Sequence, residues 1–179
     1  KYLGEQFDIH TGGEDHIPVH HTNEIAQSES ATGKKPFVNY WLHTAFLMVG
    51  GHKMSKSLGD FFTVDDVIKK GFDPIALRYL YLTTHYKKPM NFTWEALKSA
   101  ASGLENLKLK INSNKVGNNL KSTSRIENYR DKFREAINDD LNTSKALAVV
   151  WEVIKSNIPS EDKYDLVKSF DEVLGLMII

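Results

Sequence analysis

The sequence predicts an α/β fold followed by an α-helical bundle, and three observations support this prediction. In the first half, short apolar runs alternate with glycine turns and a polar helix, the order found in half of a parallel α/β sheet. Further along the chain, leucine, valine and aromatic residues recur at helical spacing, as in a helix bundle. After the last predicted strand lies a loop with two lysines, two serines and a glycine, a composition suited to binding a polyphosphate.

Composition and charge restrict the class of protein. Of the 179 residues, 41% are hydrophobic and 26% are charged, as expected of a soluble globular protein, and the net charge is zero. The chain has no cysteine and hence no disulfide framework, which fits a reducing compartment. No apolar run reaches the roughly 18 residues of a membrane span, and the polar start shows no signal peptide. We therefore expect a cytoplasmic protein without membrane contact and, because the first residue is not methionine, an excerpt of a longer one.

The elements of the first half follow from apolar runs and from the turn residues between them. Adjacent glycines mark turns, Pro18 suits the first turn of a helix, and a compact apolar run suits a buried strand. The predicted elements are a strand at 7–10, a glycine turn at 11–13, a helix at 20–30, a strand or helix at 37–42 and a buried strand at 45–49. Because ligands bind at the carboxyl ends of parallel strands, the glycine turn and the lysine-containing loop should both border a site.

The later elements are helices with recognisable ends. Asp73 and Thr93 are predicted caps, Gly71 ends the helix before Asp73, and residues 86–93 form a connector. The predicted helices cover 65–70, the segment from Pro74 to Leu82, the segment from Thr93 to Leu107, and 126–138, 144–156 and 161–175. A stretch rich in Asn, Ser, Lys and Gly at 112–124 is predicted to be a linker or long loop.

A first candidate site is the string Gly12-Gly13-Glu14-Asp15. Adjacent glycines let a ligand approach the backbone, and a carboxylate such as Asp15 can accept hydrogen bonds from a ribose diol. A plain turn explains the same four residues, so the string by itself does not identify a nucleotide site.

A second candidate site is a pair of metal ligands, His20 and Glu24. Four residues apart on a helix, their side chains share a face and can both reach one zinc ion. His21 should point about 100° away from that face. The alternative is a helix with solvent-exposed polar residues. Further histidines could complete a ligand set, but their spacing selects none of them: His10, His16, His43, His52 and His85.

The third candidate site, called the lysine loop below, is Lys53-Met54-Ser55-Lys56-Ser57 followed by Leu58-Gly59. Ammonium groups supply positive charge, hydroxyls donate hydrogen bonds, and the glycine allows close backbone approach, so the loop can wrap a polyphosphate. An exposed basic turn is the alternative. A separate basic stretch, residues 108–134, carries six more positive than negative charges and is either a solvated helical face or a surface for phosphate backbones.

Taken together, these strings resemble the cysteinyl-tRNA synthetases, a family of class I aminoacyl-tRNA synthetases. The lysine loop matches the KMSKS signature of the class, and the string from His20 to Glu29, together with GGxD before it, makes the resemblance specific to the family. The remaining matches are spread over nearly the whole chain: Phe7-Asp8-Ile9-His10, Trp41-Leu42-His43, Asp73-Pro74, Leu77-Arg78, His85-Tyr86, Asn91-Phe92, Asp139-Asp140-Leu141-Asn142-Thr143 and Leu174-Gly175-Leu176.

The resemblance implies a fold and a set of roles. Residues 1–92 would be the second half of a Rossmann-like class I catalytic domain, 93–124 a helical connector and linker, and 125–179 the start of a helical tRNA-binding domain. Lys53 and Lys56 would offset charge on departing pyrophosphate. The remaining roles would be nucleotide binding by Gly12, Gly13, Asp15 and Lys56, and zinc binding by His20 and Glu24.

The resemblance also implies an activity. Enzymes of this family activate cysteine with ATP and Mg²⁺ to cysteinyl-adenylate and transfer the cysteine to tRNA(Cys), using zinc to bind the substrate thiolate. We therefore expect a cysteine–tRNA ligase that takes ATP, L-cysteine and tRNA(Cys), and that is a monomer. Because the family's HIGH motif and two zinc-binding cysteines would lie upstream, the isolated 179-residue chain is expected to be inactive.

Two other functions fit the same strings. A related cysteine ligase joins cysteine to an amino-sugar with the same site, and it should lack a downstream anticodon-binding region. A degenerate paralogue would bind nucleotide or RNA without catalysis, although the intact lysine loop argues against this alternative.

Overall fold

The computed structural model of the protein describes residues 2–54, 62–112 and 123–179. Within these ranges the chain forms two compact units, which consist of 2–54 with 86–91 and of 62–85 with 92–112 and 123–179. Lys56 and the rest of the lysine loop after Met54 lie outside the described residues, as does most of the predicted linker. In the described ranges, no helix combines the length and the apolar character needed to cross a membrane. The predicted division into domains at residues 92 and 124 stays a prediction.

A β–α–β arrangement forms most of the first unit. Strand β1 (Phe7–Gly13) pairs in parallel with β2 (Val38–Thr44), and helix α1 (Thr22–Thr32) lies between them in the chain. Parallel neighbours need a long crossover connection, and the segment around α1 supplies it. The register pairs Gly13 with Thr44, so both strands end at one edge of the sheet, where the candidate site residues are found.

Two segments of this unit differ from the sequence prediction. Gly12 and Gly13, predicted to form a turn, are the last two residues of β1, because they pair with residues of β2. The predicted helix begins earlier, with a π-helical turn, Ile17–His21, that runs directly into α1. Pro18 lies near the start of this turn, as predicted, where its missing N–H leaves no hydrogen bond unmade.

A hairpin brings the start of the lysine loop into the first unit. Strands β3 (Leu47–Val49) and β4 (His52–Lys53) are antiparallel and are joined by Gly50 and Gly51, whose φ angles of 58° and 84° suit a two-residue turn. Strand β5 (Met90–Phe92) lies on the other side of β3, where the Met90 N–H donates to the Phe46 carbonyl at 3.2 Å. The strand predicted at 45–49 is present as β3, but it is shorter than predicted and only half-buried. Strand β5 lies in the segment that was predicted to be a connector.

Six helices form the second unit, at or near the predicted positions. Their ends are fixed as the sequence predicts: the Asp73 carboxylate accepts from the Ile75 N–H at 2.8 Å, and the Thr93 hydroxyl accepts from the Ala96 N–H at 3.0 Å. The helices are α2 (Val64–Lys69), α3 (Pro74–Leu82), α4 (Trp94–Asn112), α5 (Thr123–Asn138), α6 (Thr143–Lys155) and α7 (Ser160–Leu174).

The core of the second unit is apolar, with a few hydrogen bonds between residues far apart in the sequence. Phe133 stacks on Phe170 with ring centroids 4.0 Å apart, so α5 and α7 are packed directly against each other. The end of α7 is held by Arg78, whose Nε donates to the Leu174 carbonyl at 2.7 Å. Gly175 follows in the left-handed region, with φ of 61°, and closes the helix.

The contact between Arg78 and the end of α7 makes a testable prediction about stability. Gly175 and Gly71 both have positive φ, of 61° and 84°. A Cβ at Gly175 would lie 3.1 Å from Arg78 Nη2, whereas a Cβ at Gly71 would meet nothing within 4 Å. Backbone strain of about 1–2 kcal/mol is common to both alanine variants. We therefore expect Gly175→Ala to lower the free energy of unfolding, measured in urea, by more than Gly71→Ala does. Equal losses would contradict the role given to Arg78.

Candidate functional site

The candidate site lies in the first unit, at the end of β1 and the start of α1. His10 comes from β1, His21 from the π-helical turn, and Glu24 from the first turn of α1. Ligand atoms of these three side chains all lie within 4.8 Å of one another. His43, in β2 opposite Gly12, closes the group, which we call the histidine cluster: His10, His20, His21, Glu24 and His43.

Distances within the cluster distinguish two kinds of contact. His10 Nε2 lies 2.7 Å from Glu24 Oε2, and His21 Nδ1 lies 2.7 Å from His43 Nε2, both ordinary hydrogen-bond lengths. His20 Nε2 and Glu24 Oε1 are 3.3 Å apart. Zinc bonds of about 2.0–2.1 Å in tetrahedral geometry place two ligand atoms about 3.3 Å from each other. The His20–Glu24 separation is compatible with two zinc ligands as well as with an ion pair, and His10 holds the other carboxylate oxygen.

His21 faces a different side from His20, as expected, yet it lies beside His10 and Glu24. His21 is buried, with 3% of its surface exposed, and its ring centroid lies 4.7 Å from that of His10. The π-helical turn rotates only slightly less per residue than an α-helix, so His21 still faces inward and His20 outward. His21 meets the group because His10 of β1 and His43 of β2 lie on the inner side of the turn. The side chain of His20 is 61% exposed and reaches Glu24 from the outside.

Glycine at position 12 allows His21 to lie against the end of β1. A Cβ there would be 2.6 Å from His21 Cε1 and 2.8 Å from His16 Nδ1, distances that no side chain tolerates. At Gly13 a Cβ would be 2.5 Å from Asp15 Oδ1. In this structure the groups that approach the two glycines closely are thus the protein's own imidazoles and a carboxylate.

The electrostatics of the cluster favour a neutral His21 and an ionised Glu24. Burial lowers the pKa of His21, and the nearby imidazoles of His10 and His43 lower it further. The hydrogen bond from His10 lowers the pKa of Glu24, outweighing the opposite effect of burial. Metal ions bind neutral imidazole and ionised carboxylate, so Glu24 is in the form that a metal site needs.

Asp15 and Lys53 form a second polar group next to the cluster. Lys53 Nζ donates to Asp15 Oδ2 at 3.1 Å, and this hydrogen bond lowers the pKa of Asp15. The same ammonium lies 3.8 Å from the centroid of the Phe46 ring. An open cleft of about 380 Å³ adjoins both groups and is lined by Asp15, Val19, His20, Asn23, Glu24 and Gln27. Of the predicted nucleotide and metal residues that are described, Asp15, His20 and Glu24 border this cleft, whereas Gly12 and Gly13 do not line it.

The contribution of two strand histidines could not be obtained from spacing. His10 and His43 lie far apart in the sequence and come together only because β1 and β2 pair in parallel. Trp41, between them, stacks on His43 with rings 2° from parallel and contacts His10 and His21. Of the other histidines considered from the sequence, His52 lies in β4 and His85 in the second unit, 3.9 Å from Asp140.

Three basic residues in the described part of the basic stretch form ion pairs within the protein. Arg130 lies 3.4 Å from Glu127, Lys132 lies 2.8 Å from Glu152, and Arg134 lies 2.9 Å from Asp131. Exposed pairs of this kind are weak, so both the solvated face and a surface for phosphate backbones stay open.

Comparison with family models and with curated proteins gives consistent matches. Residues 1–102 match the model described as the tRNA synthetases class I (C) catalytic domain, and residues 132–157 match a DALR domain. A cysteine–tRNA ligase of Treponema denticola is 44% identical over 100% of this chain and 41% of its own length. Cysteine–tRNA ligase 1 of Burkholderia lata is 45% identical over 98% of this chain and 36% of its own length. The chain therefore spans about two fifths of these relatives.

Two solved structures share the fold at low sequence identity. A LeuRS of Agrobacterium radiobacter, in ternary complex with tRNA and LeuAMS, aligns with a TM-score of 0.66 at 16% identity and covers 96% of this chain and 26% of that one. A methionyl-tRNA synthetase of Mycobacterium tuberculosis, in complex with methionyl-adenylate, aligns with a TM-score of 0.54 at 18% identity and covers 94% of this chain and 40% of that one. These likenesses show a common fold.

Proposed function

Because the chain belongs to the cysteine family of class I tRNA synthetases, we propose that it is part of an enzyme that activates cysteine with ATP and transfers it to tRNA(Cys). The observation that carries this proposal is the cleft bordered by the His20–Glu24 pair and Asp15, with Lys53 bound to Asp15. One side of such a cleft suits a thiol-binding metal, and the other suits a nucleotide, which is the combination that cysteine activation requires.

The residues at the start of α1 fit a zinc ion. His20 and Glu24 offer one nitrogen and one oxygen at 3.3 Å, close to the spacing of two zinc ligands, and we assign the ion to them. The rival set, His10, His21 and Glu24, is also compact, but His10 Nε2 and His21 Nδ1 are engaged in hydrogen bonds. When bound, zinc supplies a soft acceptor for the thiolate of cysteine, which the hydroxyl of serine matches poorly.

The other cluster residues orient this pair. The hydrogen bond from His10 holds Oε2 of Glu24 and leaves Oε1 directed to His20. His43 Nε2 is hydrogen-bonded to Nδ1 of His21, and Trp41 packs on the rings of both histidines. These contacts fix the imidazole of His21 beside Glu24. Partners of this kind set the orientation and basicity of metal-binding side chains.

On the nucleotide side, the carboxylate of cysteine attacks the α-phosphorus of ATP, and the bond to pyrophosphate breaks. Lys53 and Lys56 offset the charge that the departing pyrophosphate gains, and Mg²⁺ accompanies the phosphates. Gly12 and Gly13 carry no side chain, and the Asp15 carboxylate, whose Oδ2 binds Lys53, borders the cleft where the ribose hydroxyls would lie. A hydroxyl of the terminal adenosine of tRNA(Cys) then takes the cysteinyl group, and AMP leaves.

Cysteine-dependent ATP–pyrophosphate exchange by the full-length gene product tests this function, with serine as the control amino acid. We expect exchange with cysteine, negligible exchange with serine, and transfer of cysteine to tRNA(Cys). Transfer to an amino-sugar instead of tRNA would support the alternative ligase, which the relatives do not favour. Absence of exchange in a zinc-loaded protein would support the inactive paralogue.

A further inference from the structure

Lys53 contacts two side chains, Asp15 and Phe46, and the proposed function gives a role only to Asp15. The hairpin fixes the register so that Lys53 lies opposite Met48. Phe46 precedes Met48 by two residues and is therefore the diagonal neighbour of Lys53 on the same face of the hairpin. This placement explains why the Lys53 ammonium lies 3.8 Å from the centroid of the Phe46 ring.

The backbone of Phe46 is fixed from the other side. Its carbonyl accepts from the Met90 N–H at 3.2 Å, and the neighbouring Ala45 N–H donates to the Tyr86 carbonyl at 2.8 Å. The Met54 N–H, just after Lys53, donates to the Leu47 carbonyl at 3.1 Å. Phe46 thus belongs to the segment that hydrogen bonds hold on both sides, and Lys53 lies in the edge strand paired with it.

Neither contact of the Lys53 ammonium is strong by itself. The side chains of Lys53 and Asp15 are 55% and 47% exposed, and ion pairs with that exposure contribute little. A single cation over a half-buried aromatic ring is also a modest attraction. The two contacts act on one ammonium from two directions, however, and together they restrict a long side chain that would otherwise sample many rotamers.

We propose that Phe46 is a positioning residue, whose ring, together with the Asp15 carboxylate, holds the Lys53 ammonium at the edge of the nucleotide side of the cleft. The contacts of Lys53 with Phe46 and Asp15 are observed in the structure, whereas their effect on catalysis rests on the proposed function. Restricting Lys53 before ATP binds removes an ordering cost from the adenylation step.

The test uses two readouts on Phe46→Leu, with Phe46→Tyr to restore an aromatic ring and Tyr40→Leu as a control, since Tyr40 is 70% exposed on β2. The first readout is the NMR shift of the Lys53 ε-methylene, which a ring at this distance moves upfield. We expect the upfield shift to be lost in Phe46→Leu and kept in Phe46→Tyr and Tyr40→Leu. An unchanged shift in Phe46→Leu would overturn the proposal.

The second readout is pyrophosphate exchange by the full-length protein. Phe46→Leu should lower kcat about two- to fivefold, the effect of losing one exposed cation–π contact, with the KM for cysteine unchanged. If Lys53→Ala slows exchange and Phe46→Leu does not, the positioning role is wrong and the proposed function stands. If the wild-type protein shows no exchange, the proposed function fails, and the NMR shift alone decides whether Phe46 holds Lys53.

Discussion

Glu24→Gln is expected to abolish stoichiometric zinc binding and cysteine activation in the full-length protein. The carboxylate of Glu24 contacts both His10 and His20, at 2.7 and 3.3 Å, and the hydrogen bond from His10 keeps its pKa low. A neutral amide is a much poorer zinc ligand than a carboxylate. Loss of an outer hydrogen-bond partner alone costs about 10- to 100-fold in metal affinity, so loss of the ligand itself should cost more.

Metal analysis after dialysis and cysteine-dependent pyrophosphate exchange measure this effect. Glu29→Gln is the matched control, because Glu29 lies on the same helix and its carboxylate accepts from the Phe37 N–H, away from the cluster. We expect Glu29→Gln to retain its zinc. His20→Ala should lose zinc as Glu24→Gln does. Loss of zinc in His21→Ala with full zinc occupancy in His20→Ala would instead assign the ion to the rival set, which contains His21. Normal zinc content in Glu24→Gln would remove Glu24 from the ligands.

Lys56→Ala is expected to slow adenylate formation by about a hundredfold or more and to leave the affinity for cysteine nearly intact. Pyrophosphate gains charge only as the bond to the α-phosphorus breaks. A lysine that interacts with this developing charge therefore stabilises the transition state more than the ground state. Lys56→Arg should restore the rate only in part, because a planar guanidinium does not replace a compact ammonium.

Pre-steady-state measurement of adenylate formation tests this prediction. Lys69→Ala is a suitable control, since Lys69 is an exposed lysine of α2 whose only described ion pair is with Asp66. If the lysine loop were merely an exposed turn, both variants would change the rate by no more than about twofold. A near-normal rate in Lys56→Ala would therefore contradict the catalytic role of the loop.

The sequence predicted the fold class, and the likeness to class I synthetases confirms it: a Rossmann-like part followed by helices. Helix ends were predictable because single side chains define them, as Asp73 and Thr93 do. Strand β5 and the π-helical turn before α1 were not predictable, because each has too few residues to carry a pattern. Helical periodicity placed His21 away from the face of His20 and Glu24, and packing against β1 and β2 is what brings it beside His10 and His43.

The candidate site also has a part that the sequence predicted and a part that it did not. The pair His20 and Glu24 depends on local spacing, and the structure brings their side chains together as predicted. The contacts of His10 with Glu24 and of Asp15 with Lys53 join residues 14 and 38 positions apart. Such contacts depend on strand register and on the hairpin, which no local pattern specifies, so the supporting residues of the site became visible only in the fold.

Zinc K-edge X-ray absorption of the full-length protein, with and without cysteine, tests the central claim most directly. That claim is that the His20–Glu24 end of α1 helps to hold a metal that binds the substrate thiol. We predict that cysteine adds one sulfur neighbour at about 2.3 Å, that serine adds none, and that Glu24→Gln removes the zinc signal. A zinc environment that cysteine leaves unchanged, or that persists in Glu24→Gln, would contradict the account.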